Sequence, residues 1–128
     1  MSKQKEQMLL KDFYTVEISE EENGKCISHL KINQDHQVYD GHFPNRPVTP
    51  GVILMQLFKE DAERRLKNSL QLKEANNIKF MAVVDPTIHN KLILEYQLEE
   101  NNQEVRLKGM AKTTEGISLR INAIYQIK

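Results

Sequence analysis

Tyr39-Asp-Gly-His-Phe-Pro-Asn-Arg-Pro-Val-Thr-Pro-Gly-Val52, running straight into Ile53-Leu-Met-Gln-Leu-Phe58, is the stretch on which the reading of the chain turns. Pro44, Pro47 and Pro50 are three of the four prolines, and Gly41 and Gly51 two of the five glycines, so backbone restraint is concentrated here. Pro44 and Pro47 fix φ and push the residues before them out of the helical region, which predicts a stiff, extended Phe43 to Val48. A helix follows. Thr49 is a good N-cap, Pro50 suits the first helical position, and Gly51 leaves a bare amide in the first turn. First-turn amides lack intrahelical partners and sit at the positive end of the helix dipole, so they favour a carbonyl oxygen or an oxyanion. His42 lies at the entry to the loop, where a base would stand beside an oxyanion-stabilising helix end.

Working outward, the helix is expected from Pro50 to about Lys67. Val52 to Phe58 is apolar nearly all round, as in a helix wrapped by other elements. From Lys59 it is strongly charged, with only Ala62 and Leu66 continuing an apolar stripe, so it is expected to enter a core and leave towards solvent. Before the loop, Phe13, Val16 and Ile18 and then Cys26 to Ile32 read as a hairpin turned at Asn23-Gly24. After the helix, Asn68 to Asn77 reads as a polar loop. Four alternating segments follow: Ile78 to Val84, Leu92 to Leu98, Val105 to Ala111 and Ile117 to Ile127. Period-2 alternation marks an antiparallel sheet with one buried face. The expected class is α+β, one antiparallel sheet wrapping one helix.

Composition narrows the functional class. The 128 residues suit a single domain with one core, residues 1 to about 10 forming a loose lead-in. A mean hydropathy of −0.59 and 28% charged residues leave that core thin, which predicts completion by a second chain. Lys+Arg and Asp+Glu stand at 18 each, so bulk charge gives no case for nucleic acid or membrane. The single Cys26 excludes an internal disulfide and a cysteine metal site. No segment has the apolar length of a signal peptide core or a membrane span, which predicts a cytoplasmic protein.

The motif Tyr39-Asp-Gly-His-Phe-Pro44 with Pro47-Val-Thr-Pro-Gly-Val52 resembles the signature of FabA/FabZ-type 3-hydroxyacyl-[acyl carrier protein] dehydratases. Asn77-Ile-Lys-Phe80 with Val84 resembles the family's next strand. The resemblance covers roughly residues 30 to 100 and implies a hotdog fold, in which an antiparallel sheet wraps a long helix. It also implies a dimer or higher oligomer with sites shared between protomers, an acyl thioester on acyl carrier protein as substrate, and no cofactor. In that family the histidine takes the proton beside the thioester carbonyl, and a helix carboxylate from the other subunit protonates the departing hydroxyl. The glycine amide holds the carbonyl oxygen. His42 matches the base and Gly51 the carbonyl anchor, with Phe43 and Val52 beside the substrate.

The carboxylate position, five residues after Gly51, is Gln56. A carboxamide can hydrogen-bond a hydroxyl but has no proton to give, and loss of a general acid typically costs about 10²–10⁴-fold in rate. Three readings stand side by side. Another carboxylate serves in a homo-oligomer: Glu60 is one turn along the same face but about 6 Å further up the axis, and Asp40 and Asp85 are further candidates. Alternatively, a related subunit supplies the acid in a heterodimer. The third reading is a non-catalytic acyl-binding or carrier-binding subunit, or a hotdog thioesterase needing only base and oxyanion site.

Other residues read more plainly. Lys59 to Lys67 is expected as a solvated face with pairs Glu60–Arg64 and Glu63–Lys67, while Arg46, Arg64, Arg65 and Lys67 could together meet an acidic carrier. Met55, Met81 and Met110 suit core filling or an acyl tunnel. His29, His36 and His89 are expected to be structural or solvated, and no histidine, cysteine or carboxylate spacing suggests a metal.

Overall fold

The computed structural model describes residues 12–39 and 48–128. Elements follow in the order β1 (Tyr14–Glu22), β2 (Lys25–Ile32), a 3₁₀ turn (Gln37–Tyr39), α1 (Gly51–Leu66), β3 (Leu70–Phe80), β4 (Lys91–Asn101), β5 (Glu104–Thr113) and β6 (Gly116–Ile127). They form one six-stranded sheet in the order β1-β2-β4-β5-β6-β3, antiparallel at every pairing. The chain leaves β2, passes through α1 and returns on the far edge as β3. That crossover lays the helix across the concave face of the sheet.

Local chemistry sets the turns. Asn23 and Gly24 have φ of 53° and 80°, the doubly left-handed pair that joins twisted strands in two residues. Asn102 and Gln103, at 51° and 69°, do the same between β4 and β5. Alternation then sorts the side chains. Leu30, Leu92, Leu94, Leu107, Leu119 and Ala123 point inward and are fully buried against Leu57, Phe58 and Ala62 of α1.

One glycine is required by packing. A Cβ on Gly109 would lie 2.2 Å from the Glu95 carbonyl oxygen and 2.4 Å from Tyr96 Cβ. Gly109 is paired with Tyr96 across the β4–β5 ladder, and its bare backbone makes room for the β4 backbone and the Tyr96 Cβ opposite it. Gly109→Ala is therefore expected to cost about 1–3 kcal/mol, the usual range for overpacking, and to lower the thermal midpoint. An unchanged midpoint would contradict this close approach.

Several expectations are corrected. Residues 70–77 are strand, not loop: β3 pairs with β6 from Leu70 to Phe80. Its residues from Gln71 to Asn77 are exposed, and two register shifts, at Leu72/Glu74 and Ala75/Asn77, break the period-2 pattern that would have revealed it. The strand then stops at Phe80, short of Val84. Thr49 is not the N-cap. Pro50 occupies that position with no side-chain cap, and the Thr49 hydroxyl instead shares a 2.8 Å hydrogen bond with the Tyr39 hydroxyl.

The first half of the helix enters the core through Leu54, Leu57 and Phe58 as expected, but its charged half is not the solvated face that was expected. In its apolar first half Val52 is 69% exposed, whereas Glu60, Asp61 and Glu63 of the charged half are 6%, 2% and 8% exposed. Neither expected ion pair is seen. Glu63 receives Lys59 Nζ at 2.9 Å and the Leu70 amide at 2.8 Å, and Asp61 receives both arginines. Met110, paired between Glu95 and Arg120, lies on the outer face of the sheet and takes no part in the core or a tunnel. Among the described residues no helix is long and apolar enough to cross a membrane.

Candidate active site

Of the residues expected to form the site, Gly51, Val52 and Gln56 lie in the first turns of α1. His42, Phe43, Arg46 and Asp40 lie outside the described residues. Those flanking them in sequence are well tied. Tyr39 and Thr49 are hydrogen-bonded to each other and buried, and the Thr49 amide donates to the Val84 carbonyl at 2.9 Å. Burial pushes the Tyr39 hydroxyl above its usual range, so it remains neutral.

At Gly51 the backbone is approached closely. A Cβ there would sit 2.1 Å from Cε1 of Phe80, so the ring covers the glycine and only a residue without a side chain leaves that contact intact. Val52, Phe80, Met81, Val83 and Ile88 leave a large apolar surface exposed. Of these, Val52 lies on the first turn of α1 and Phe80 packs over Gly51 beside it.

Val52, Gln56 and Glu60 succeed one another at i, i+4 on a single face, passing from 69% exposed at Val52 to 6% at Glu60, with Gln56 half-buried between them. Gln56 Nε2 donates to Glu60 Oε2 at 3.1 Å. The other oxygen, Glu60 Oε1, accepts the Tyr14 hydroxyl at 2.8 Å, and Arg64 Nη1 donates to the Tyr14 oxygen. Burial holds the Tyr14 hydroxyl well above its usual range; the neighbouring Arg64 charge works against this and Glu60 reinforces it.

Arg64 links this group to a second one. Its Nη2 donates to Asp61 Oδ1 at 2.9 Å. Asp61 Oδ2 accepts Ser28 Oγ at 2.8 Å, Arg65 Nε at 3.3 Å and the Tyr96 hydroxyl. Arg65 also donates to the Ile27 carbonyl at 3.2 Å and to Ser28 Oγ at 3.0 Å. Burial, then the Asp61 charge, drives the Tyr96 hydroxyl far up. A carboxylate this deep is tolerable only when paired and fully hydrogen-bonded, and Asp61 is both.

Of the residues proposed from sequence for carrier docking, Arg64 and Arg65 both bind the buried Asp61. Arg65 has a side chain only 15% exposed and bound on every side, while Arg64 keeps 44% of its side chain in solvent. Lys67 is exposed at the left-handed end of the helix. Asp85, another sequence candidate, is buried and caps its own turn through Thr87. His29 lies on the outer face of β2, His36 stacks edge-on to Phe13 at 5.4 Å, and His89 meets Thr114 and Glu115. Among the described residues no three His, Cys, Asp or Glu side chains converge to hold a metal. A cleft of about 300 Å³ opens by His29, Ile93 and Lys112; it shares no residue with the helix stripe.

The links through Tyr14, Ser28 and Tyr96 escaped sequence reasoning. The signal was parity: Ser28 and Tyr96 fall at inward positions between buried apolar residues, which marks a polar group that needs a partner inside.

One antiparallel six-stranded sheet packed around a single helix defines the hotdog class. The chain belongs to the ApeI-like dehydratase family, whose profile, described as ApeI dehydratase, matches residues 17–118. It is 31% identical over 100 residues to the 3-hydroxyacyl-[acyl-carrier-protein] dehydratase FabZ of Variovorax paradoxus, covering 70% of this chain and 67% of that protein. The FabZ of Caldanaerobacter subterraneus is 27% identical over 113 residues, covering 82% and 79% respectively. Among solved structures, the dehydratase heterocomplex ApeI:P from Xenorhabdus doucetiae superposes with a TM-score of 0.72 at 17% identity, over 88% of this chain and 96% of that one. A hypothetical thioesterase with coenzyme A from Streptococcus pneumoniae superposes at 0.63 with 10% identity, over 90% and 85%; at such identities the likeness is one of fold. The resemblance to FabZ-type dehydratases read from residues 39–52 is borne out.

Proposed function

We propose that this chain is a cytoplasmic, single-domain subunit of a 3-hydroxyacyl-thioester dehydratase that acts on acyl carrier protein and is completed by a related subunit carrying the acid. The observation that carries this reading is Gln56. It stands at the family's carboxylate position in a chain whose family match spans residues 17–118, and its amide is hydrogen-bonded to a carboxylate one turn further on. Support for a mixed dimer comes from the exposed Val52 face and from the structural neighbour that is itself a dehydratase heterocomplex.

In this reading His42 removes the proton from C2 of the substrate, and the charge gathering on the thioester oxygen is held by the Gly51 amide. The C3–O bond then breaks as the partner's carboxylic acid delivers a proton to the leaving hydroxyl, giving an enoyl thioester and water. Gln56 hydrogen-bonds the hydroxyl at its own site. Phe43 and Val52 line the acyl chain, and the carrier meets Arg46, Arg64 and Lys67, whereas Arg65 is committed inside. No cofactor is needed for elimination beside an acidified carbon.

The test is reconstitution. The chain purified alone is expected to dehydrate 3-hydroxyacyl thioesters slowly, and co-expression with a related subunit bearing a glutamate at the matching position is expected to restore turnover. His42→Ala in this chain should then cost about 10²–10⁴-fold. Fast turnover alone would defeat the mixed-dimer reading. Failure with every related subunit, binding intact, would make the chain a non-catalytic acyl binder, and release of free thiol would make it a thioesterase.

A further inference from the structure

We propose that Glu60 is a positioning residue for Gln56: with Tyr14 and Arg64 behind it, its carboxylate holds the Gln56 carboxamide in one orientation, carbonyl oxygen turned away from Glu60 and available to the reacting hydroxyl. The proposal rests on the reading that Gln56 faces the substrate's 3-hydroxyl.

The argument is one of hydrogen-bond polarity. A carboxylate only accepts, so Glu60 can meet only the nitrogen end of an amide. Were the Gln56 amide flipped, two oxygens would face each other where Nε2 and Oε2 now lie 3.1 Å apart. A carboxylate oxygen in a residue 6% exposed would then be left without a donor, which is costly in a buried network. The far side of Glu60 is equally determined. Arg64 has no acceptor atom, so it must donate to the Tyr14 oxygen, and the Tyr14 proton is left for Glu60 Oε1. Direction therefore runs from Arg64 to Tyr14 to Glu60, with Gln56 donating from the opposite end.

Arg64 is itself pinned by Asp61, which is bound in turn to Ser28 of β2 and Tyr96 of β4. Three strands thus determine which way one half-buried carboxamide points. A Gln–Glu pair at i, i+4 on a solvated helix face is weak and turns freely; burial of Glu60 makes this pair directional. The titratable and charged groups around it are Tyr14 from β1 and Arg64 and Asp61 from α1. The consequence for chemistry is specific. In a site formed by two copies of this chain, Gln56 Oε1 accepts a hydrogen bond from the hydroxyl and so leaves that oxygen's lone pairs open to a proton from solvent.

The experiment uses the full chain alone, in whose self-paired sites Gln56 of one copy meets the hydroxyl that His42 of the other serves, and compares the slow turnover of Glu60→Gln, Tyr14→Phe and Glu60→Asp with that of wild type. Two readouts are taken: the side-chain amide ¹H–¹⁵N signals of Gln56, assigned by their loss in Gln56→Ala, and kcat and KM for a 3-hydroxyacyl thioester. Glu60→Gln and Tyr14→Phe are expected to shift the Gln56 signals, speed their exchange with water and lower kcat about ten- to a hundredfold, as misplacement of a reacting group does, with KM unchanged. Glu60→Asp should recover part of the loss. Tyr14→Phe carries the test if Glu60→Gln does not fold. Gln56 signals that stay in place in these variants would overturn the proposal, because the hydrogen bond would not exist. Signals that move while kcat holds would overturn it differently: the bond would be real, and the failure would lie in the reading that Gln56 faces the hydroxyl.

Discussion

Asp61→Ala is expected to destabilise the fold by about 3–5 kcal/mol, the cost of breaking a buried ion pair by removing one partner. Asp61 is 2% exposed and gathers four donors: Ser28, Tyr96, Arg64 and Arg65. Without it, Arg65 keeps a charge on a side chain 15% exposed, and the hydroxyls of Ser28 and Tyr96, at 0% and 1% exposed, lose their acceptor. Each orphaned group keeps its desolvation cost and loses the bond that offset it. Asp61→Asn is expected to recover only part of the loss, since one carboxylate oxygen becomes an NH₂ facing donors. The exposed pair Lys73–Glu104, with side chains 52% and 36% exposed, supplies the contrast: solvent already screens it, and its removal should be barely measurable. Urea unfolding of both variants separates the cases. Equal midpoints would mean that Asp61 does not anchor α1 to β2 and β4.

That network also marks where the sequence was legible. The Asn23-Gly24 hairpin, the helix and the three final strands follow from turn chemistry and periodicity, which are local. The same local logic read Lys59 to Lys67 as a solvated face, because a charge run usually is one. What reverses that reading is non-local: the partners of Asp61 and Glu60 are 33, 35 and 46 residues away in Ser28, Tyr96 and Tyr14. Strand β3 was missed for the opposite reason. An exposed edge strand with two bulges has no alternation to read, and Gln71 to Asn77 is mostly polar, with only Leu72 and Ala75 apolar. At the site, Glu60 was read only as a substitute acid set too far along the axis, and its pairing with Gln56 was not foreseen. Helical neighbours at i, i+4 do close that distance when their side chains reach towards each other, as the 3.1 Å contact shows.

Gln56→Glu is expected to raise dehydration by the chain alone by about 10²-fold or more, because a carboxyl group at this position can give a proton and a carboxamide cannot. The structure adds a pH signature to that gain. The new carboxyl would stand where Gln56 Nε2 now lies 3.1 Å from Glu60 Oε2, and two carboxylates that close cannot both ionise. The pair shares a proton and titrates as a unit, its upper apparent pKa displaced above the ordinary carboxylate range. The acid form is therefore retained towards neutral pH. The sign for stability follows from linkage. In the unfolded chain both carboxyls lose their protons near about pH 4.3, while the folded pair still holds one. The folded state then binds more protons than the unfolded one, and stability of the variant falls as pH rises from there through the pair's upper pKa. Adding Glu60→Gln removes the second carboxylate, so the double variant should lose both the alkaline extension of activity and the pH-dependent loss of stability. Profiles of kcat and thermal midpoint against pH for the single and double variants decide the matter. Identical profiles would mean that positions 56 and 60 do not interact in the working protein, and a single variant no faster than wild type would mean that position 56 does not meet the departing hydroxyl.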